Sequence, residues 1–249
     1  DGSVLLDDTP TMKGEKHSGP NNNSLRGFEV VDEIKYHLEQ ACPGVVSCAD
    51  ILAAAARDSV VILGGRTWKV FLGRRDSTNA SIAAANRNLP STFGNLTEQI
   101  ANFQQKGLNT KDLVVLTGAH TIGQARCSSI FFNFLFNRTM DPELLKSLKE
   151  RCPGMWGGPA ENVVYPMDET PNTFDNTFYK NLVQYKGVLI TDQELYGNRS
   201  TDSMVVKYSK NSSKFFNHFG KAMIKMGNIG VLTGSVGEVR KVCSKVNGA

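Results

Sequence analysis

The chain lacks any apolar run near the ~18 residues of a membrane span, and the nearest candidate, residues 51–63, is interrupted by Arg57 and Asp58. No membrane-crossing helix is expected. It has no C-x-x-C pair and no zinc-finger spacing, so its cysteines do not read as metal ligands. It has no basic run: 28 Lys and Arg against 24 Asp and Glu leave a charge of only +4. Those cations (Lys35, Arg57, Arg74, Lys111, Lys180, Lys225 among them) are scattered, without aromatic interleaving, which argues against nucleic acid as a partner. The nearest approach to G-x-S-x-G starts with Thr233, and no H-E-x-x-H, Walker loop or G-x-G-x-x-G occurs. The opening residues DGSVLLDD carry no signal-peptide pattern. Strand signals are scarce too, confined to Trp68–Phe71 and Val188–Ile190.

What is present is helical. Phe28, Val31, Ile34 and Leu38 make one apolar stripe along residues 25–41. A more buried helix is predicted over 47–63, with Ser47 as N-cap, Asp50 three residues on, and Gly64-Gly65 as its stop. Asn95 with Glu98 opens a third, and Thr110 opens one that ends before His120. Further helices are expected at 142–150, 176–185, 202–209 and 213–226. The fold class is therefore mostly α, and 249 residues suit one large domain or two packed lobes.

Five cysteines, together with Asn-x-Ser/Thr sequons at Asn22, Asn79, Asn95, Asn137, Asn198 and Asn211, suggest a disulfide-bonded secretory glycoprotein. Five is odd, so one cysteine is free or pairs outside this chain. Two bridges from five cysteines allow fifteen connectivities, and spacing does not choose among them.

Three places carry chemistry. His120 follows the apolar stretch Leu113 to Leu116 inside LTGAHTIGQARC, and a neutral imidazole there must satisfy two ring nitrogens. A plain core hydrogen bond would do it, and for an isolated histidine that is the commoner case. Iron on one nitrogen and a carboxylate on the other would also do it. Asp192, set between Leu189-Ile190 and Leu195, is a buried carboxylate in need of a donor: a histidine N–H, or the amides of a helix start. In MDETPNTFDN, Asp168, Thr170, Thr173 and Asp175 alternate as hard oxygen donors fit for Ca²⁺, although a turn ending in an Asp175 N-cap would look similar and no EF-hand pattern is present. Asp50 and the Arg74-Arg75-Asp76 run suggest a buried structural ion bridge.

Taken together, these blocks resemble the secreted plant haem peroxidases of the horseradish type. The likeness runs from Asp1 to Cys243 through DGSVLLDD, ACPGVVSCADILAAAARDSV, LGRRDS, LTGAHTIGQARC, TPNTFDNTFYKNL, TDQEL and AMIKMGNIGVLTG. It implies a two-lobed all-helical fold with very short strands: one domain over 1–249, with a distal lobe of about 1–95 plus the C-terminal end and a proximal lobe of about 96–225. It implies an oxidoreductase that reduces hydrogen peroxide and oxidises small phenols by one-electron steps, as a monomer secreted to the cell wall or vacuole. Haem is expected to be non-covalent (haem b), since no C-x-x-C-H occurs.

The resemblance also assigns residues. His120 takes the place of the proximal iron ligand, and Asp192 that of the carboxylate on its far nitrogen. Thr121, Asp168, Thr170, Thr173 and Asp175 match a proximal Ca²⁺ site, and Asp1, Ser3 and Glu15 match part of a distal one. Asn21 matches the asparagine that orients a distal histidine, Pro90 the reducing-substrate entrance, and Ser24 and Arg126 the haem propionate contacts. Met167 stands where some members have an aromatic. Cys48 would pair with Cys243 and Cys127 with Cys152, leaving Cys42 unpaired.

One family motif, the R-x-x-x-H-D-C of the distal helix, does not occur, and His17, His37 and His218 match no distal position. The resemblance would place that motif, and the partner of Cys42, before Asp1. The expectation is a peroxidase whose sequence is incomplete here. The alternative is a truncated peroxidase-like glycoprotein that binds haem or calcium without peroxide chemistry.

Overall fold

Several helix starts are set by side-chain caps. In the computed structural model, which describes residues 1–130, 139–152 and 163–248, the Asn95 side chain accepts from Glu98 N while Glu98 returns to Asn95 N, and Asn109 with Asp112 repeats the arrangement. Asp141 accepts from the Glu143 and Leu144 amides ahead of Pro142. The helices are α1 (Phe28–Ala41), α2 (Cys48–Ile62), α3 (Ile82–Asn88), α4 (Leu96–Gln105), α5 (Thr110–Thr117), α6 (Pro142–Arg151), α7 (Thr177–Val183), α8 (Ile190–Gln193), α9 (Asp202–Ser209) and α10 (Ser212–Met226). The sequon Asn137 lies outside the described residues.

Both strand expectations fail. Residues 68–71 enter no ladder, and the 188–190 segment runs into α8 with Val188 packed in a core cluster. Short apolar runs look alike as strands and as buried loops, so periodicity misassigned them. The strands among the described residues are instead β1 (Gln124–Arg126) and β2 (Val164–Pro166), antiparallel with Ala125 opposite Tyr165. Helix α3 was missed as well; seven residues capped by Ser81 leave little periodicity to read.

The chain divides into two units. One comprises 1–59, 68–89 and 224–249. Its centre is Leu5, Cys48 and Cys243, with Phe28, Val31 and Leu52 packed against them. Asp76 is fully buried and accepts from the Cys48 and Ala49 amides at 3.0 and 2.8 Å, placing an anion at the positive end of α2. Ser47 caps the same end, accepting from Asp50 N. Asp50 pairs instead with Arg74 at 3.1 Å, the ion bridge read from sequence, and Arg74 also donates to Gly227 O. Arg240, also fully buried, donates from its backbone to Asp76 and from its guanidinium to Gly2 O at 2.7 Å.

The other unit comprises 60–67 and 90–223. Cys127, Ile130, Leu148, Cys152 and Tyr165 pack there, beside an aromatic group of Phe174, Phe178, Tyr179, Tyr208, Phe215 and Phe219.

Disulfides join Cys48 to Cys243 across 195 residues and Cys127 to Cys152 across 25. Chain-entropy arguments give about 5 kcal/mol for the longer loop and about 3.5 for the shorter. Replacing Cys48 and Cys243 with Ala should therefore lower the denaturation midpoint more than replacing Cys127 and Cys152. The reverse order in a urea titration would show that strain, not loop closure, governs. Cys42 is unpaired.

Candidate active site

The site is built at the end of α5. Its residues Leu113 to Leu116 are buried, and the chain then tightens into a 3₁₀ turn over Gly118–Thr121. A Cβ at Gly118 would clash with Tyr179 Oη and the Phe215 ring, so only glycine lets the turn press so close. Tyr179 Oη donates to Val114 O at 3.0 Å, tying α7 to the last carbonyls of α5. Gly118→Ala should cost about 1–3 kcal/mol by overpacking and displace His120. A variant of unchanged melting temperature would show the turn to be more yielding than this contact implies.

His120 emerges from that turn. Its Nδ1 lies 2.9 Å from Asp192 Oδ1, supplied by α8. Asp192 is 1% exposed, and its Oδ2 has no hydrogen-bond partner among the described residues. The imidazole is partly open, with 43% of its side chain exposed, and Nε2 makes no hydrogen bond among the described residues. Phe178 meets the ring edge-on at 6.2 Å between centres. Burial lowers the His120 pKa, but the charge and hydrogen bond of Asp192 outweigh it, and the net shift is upward. An imidazole fixed by a carboxylate at one nitrogen and open at the other has the arrangement that lets a histidine bind a metal through its free nitrogen.

The adjacent residue opens a second cluster. Thr121 is fully buried, with Oγ1 2.8 Å from Asp168 Oδ2 and 3.2 Å from Asp175 Oδ1. Thr170 reaches both carboxylates, at 3.2 and 3.1 Å. The two-stranded ladder makes this possible. β1 begins just after Thr121 and β2 ends just before Asp168, while Met167 N donates to Gly123 O and Gly123 N to Pro171 O. Residues 47 apart thus meet. Desolvation, then repulsion from Asp175, push the Asp168 carboxyl up against the opposing hydrogen bonds of Thr121 and Thr170. Thr173 is exposed, its amide bonded to Thr170 O and its hydroxyl outside the cluster. Among the described residues no group of three or more His, Cys, Asp or Glu could hold a metal; this cluster has two carboxylates, with hydroxyls and carbonyls around them.

The remaining sequence-derived residues are dispersed. Asp1 Oδ1 accepts from the Ser3 amide and hydroxyl at 3.1 and 2.9 Å. Asn21 Nδ2 donates to the Glu15 carbonyl at 3.0 Å, which leaves its Oδ1 without a donor among the described residues. Ser24 and Pro90 are exposed, and Arg126 lies half-buried on β1. Met167 is buried, and the ring beside the imidazole comes from Phe178. Sequence reasoning missed Gly118, Phe178 and Tyr179; the aromatic pair in NTFYKNL, at the start of a helix, was the available signal.

The peroxidase family profile matches residues 1–211. The chain is 53% identical over 249 residues to "Peroxidase 4" of Vitis vinifera, covering 99% of this chain and 77% of that protein. It is 50% identical to "Peroxidase 67" of Arabidopsis thaliana (99% and 78%), and 51% identical to "Peroxidase P7" of Brassica rapa subsp. rapa (99% and 83%).

Proposed function

The chain belongs to the plant peroxidases and is an enzyme of that kind, acting on hydrogen peroxide and a reductant; from this premise we propose that His120 would hold the iron of a non-covalent haem b. The observation that carries the reading is the His120–Asp192 pair, with Nδ1 anchored to a buried carboxylate and Nε2 open. The partnerless Asp192 Oδ2 fits as well, since it leaves the imidazole as the one donor to this carboxylate among the described residues. Haem supplies the iron at which peroxide is reduced and reductants give up electrons singly. Asp192 holds the Nδ1 proton and fixes the tautomer. The Gly118 turn and Phe178 fix the plane of the ring. Small phenols are the proposed reductants, with Pro90 at their entrance and Ser24 and Arg126 as propionate contacts. The free Oδ1 of Asn21 is an acceptor suited to orienting a histidine N–H.

Resonance Raman spectroscopy of the reduced protein tests this. The iron–histidine stretch should sit high, as for an imidazole bonded to a carboxylate, and fall in Asp192→Asn. A haem whose stretch is indifferent to Asp192 would overturn the assignment.

Thr121, Asp168, Thr170, Thr173 and Asp175 are proposed to hold Ca²⁺, with side-chain oxygens from Thr121, Asp168, Thr170 and Asp175, which already converge, and Thr173 contributing from the backbone of the turn. Two carboxylates held against shared hydroxyls repel, and a divalent cation relieves that repulsion. Asp1, Ser3 and Glu15 are proposed as part of a second Ca²⁺ site. No described helix is long and apolar enough to cross a membrane. Secretion of a monomer is proposed from the two disulfides and from the exposed sequons Asn22, Asn79, Asn95, Asn198 and Asn211.

A further inference from the structure

A line of aromatic rings leads away from His120 and ends at a second histidine, His218. Phe178 meets His120 at 6.2 Å between ring centres, Tyr179 meets Phe178 at 5.1 Å, Tyr208 meets Tyr179 at 5.2 Å, and His218 meets Tyr208 at 5.7 Å. All five lie in the second unit.

The two tyrosines differ in what receives the phenol proton. Tyr179 Oη donates to the Val114 carbonyl, which cannot take a proton away. Tyr208 Oη lies 2.8 Å from His218 Nδ1, which can. A phenol that loses an electron becomes a strong acid, so oxidation is easiest where a base already holds its hydrogen bond. His218 is available for that task. Partial burial lowers its pKa, and Lys111, Lys207, Lys221 and Lys214 lower it further, so the ring is neutral near pH 7 with Nδ1 free to accept. Tyr208 keeps its proton until an electron leaves, its pKa pushed up to about 12 by burial and then by the charge of Asp112. The same four lysines, from α5, α9 and α10, are exposed around the half-buried His218.

From this geometry we infer that Tyr208 and His218 form a second oxidation site, remote from His120, which takes electrons from anionic phenolic polymers at the protein surface. One electron passes from Tyr208 by way of Tyr179 and Phe178 to the oxidising equivalent that the peroxidase reaction generates at His120. The Tyr208 O–H bond breaks and its proton moves to His218 Nδ1, leaving a neutral phenoxyl radical beside an imidazolium. A donor phenol on the lysine-ringed surface returns one electron to Tyr208, the proton returns from His218, and the donor leaves as a phenoxyl radical with its own proton released to water. Coulomb attraction to the four lysines favours donors carrying carboxylates or phenolates and is screened by salt. The inference rests on the proposed haem at His120.

The test uses the natively purified protein with a random glutamate–tyrosine copolymer as polymeric donor and guaiacol as small donor. Rapid freeze-quench paramagnetic resonance after hydrogen peroxide should show a hydrogen-bonded neutral tyrosyl radical that is lost in Tyr208→Phe and altered in His218→Gln. The ratio of copolymer crosslinking to guaiacol oxidation should fall by about tenfold or more in Tyr208→Phe. Lys207→Glu with Lys214→Glu should lower copolymer crosslinking relative to guaiacol oxidation and weaken its salt dependence. A radical that persists in Tyr208→Phe, or an unchanged ratio, overturns the inference. Flash oxidation by a soluble ruthenium complex, without peroxide, judges the Tyr208–His218 pair separately. If that radical does not depend on Tyr208, the pair has no special ease of oxidation and the inference fails. Absence of guaiacol oxidation in the unaltered protein would instead count against the His120 reading.

Discussion

His120→Ala protein is expected to purify without a Soret band, and peroxide-dependent oxidation of guaiacol should fall to the level of free haemin. The expectation follows from the one open ring nitrogen at the site: Nε2 of His120 makes no hydrogen bond among the described residues, and no second described imidazole is hydrogen-bonded to Asp192. Removing the ring also strips Asp192 of its only described donor, leaving a buried carboxylate bare, so some loss of stability should accompany the loss of haem. Asp192→Asn separates the two effects. It keeps the shape but withdraws the charge, and an oriented partner of this type is worth roughly 10–100-fold in affinity or activity. Haem should therefore remain largely bound while turnover drops by that factor. A normal Soret band in His120→Ala would sink the assignment, whatever the activity.

Exhaustive chelation should have the next largest effect. At free Ca²⁺ near 1,000 times the dissociation constant, binding contributes about 4 kcal/mol, which for a chain of this size corresponds to roughly 10 °C in melting temperature. Thr121 is fully buried and follows the iron-ligand candidate directly, so relaxing the Asp168–Asp175 cluster should also move His120 and shift the Soret band. Readdition of Ca²⁺ should restore both, and Asp175→Ala should mimic chelation. If melting temperature and spectrum both ignore the chelator, the cluster is a hydrogen-bonded turn and no more.

Much of this was legible along the chain because the signals are local. Asn95 with Glu98 announces α4 through a capping exchange that spans four residues, and the structure forms it. Thr110 opens α5 as read, although the capping side chain is Asn109, one position earlier. The apolar stripe of α1 is real as a helix, but its burial is uneven: Phe28 and Val31 pack on the Leu5 group while Ile34 is exposed. Charge was read least well. Lys35 looked like one more scattered cation, yet it is buried with its ammonium on Glu39 and Val46 O. Arg240 drew no notice and is fully buried among backbone carbonyls. Glu39 is a local partner for Lys35, but Val46 O and, for Arg240, Gly2 O are brought in by the folded chain, and nothing local marks that burial.

By itself, the sequence determined the helical class and most of the helix starts, because capping and periodicity act over a few residues, and it singled out His120 and Asp192 as polar groups in apolar settings. Only the tertiary structure decided which groups meet. Asp192 reaches His120 across 72 positions, and Asp168 reaches Thr121 across 47, because a three-residue ladder and a glycine turn bring those backbones together. Pairing of this kind depends on how buried surfaces close, and that is a property of the whole packed chain rather than of any segment of it.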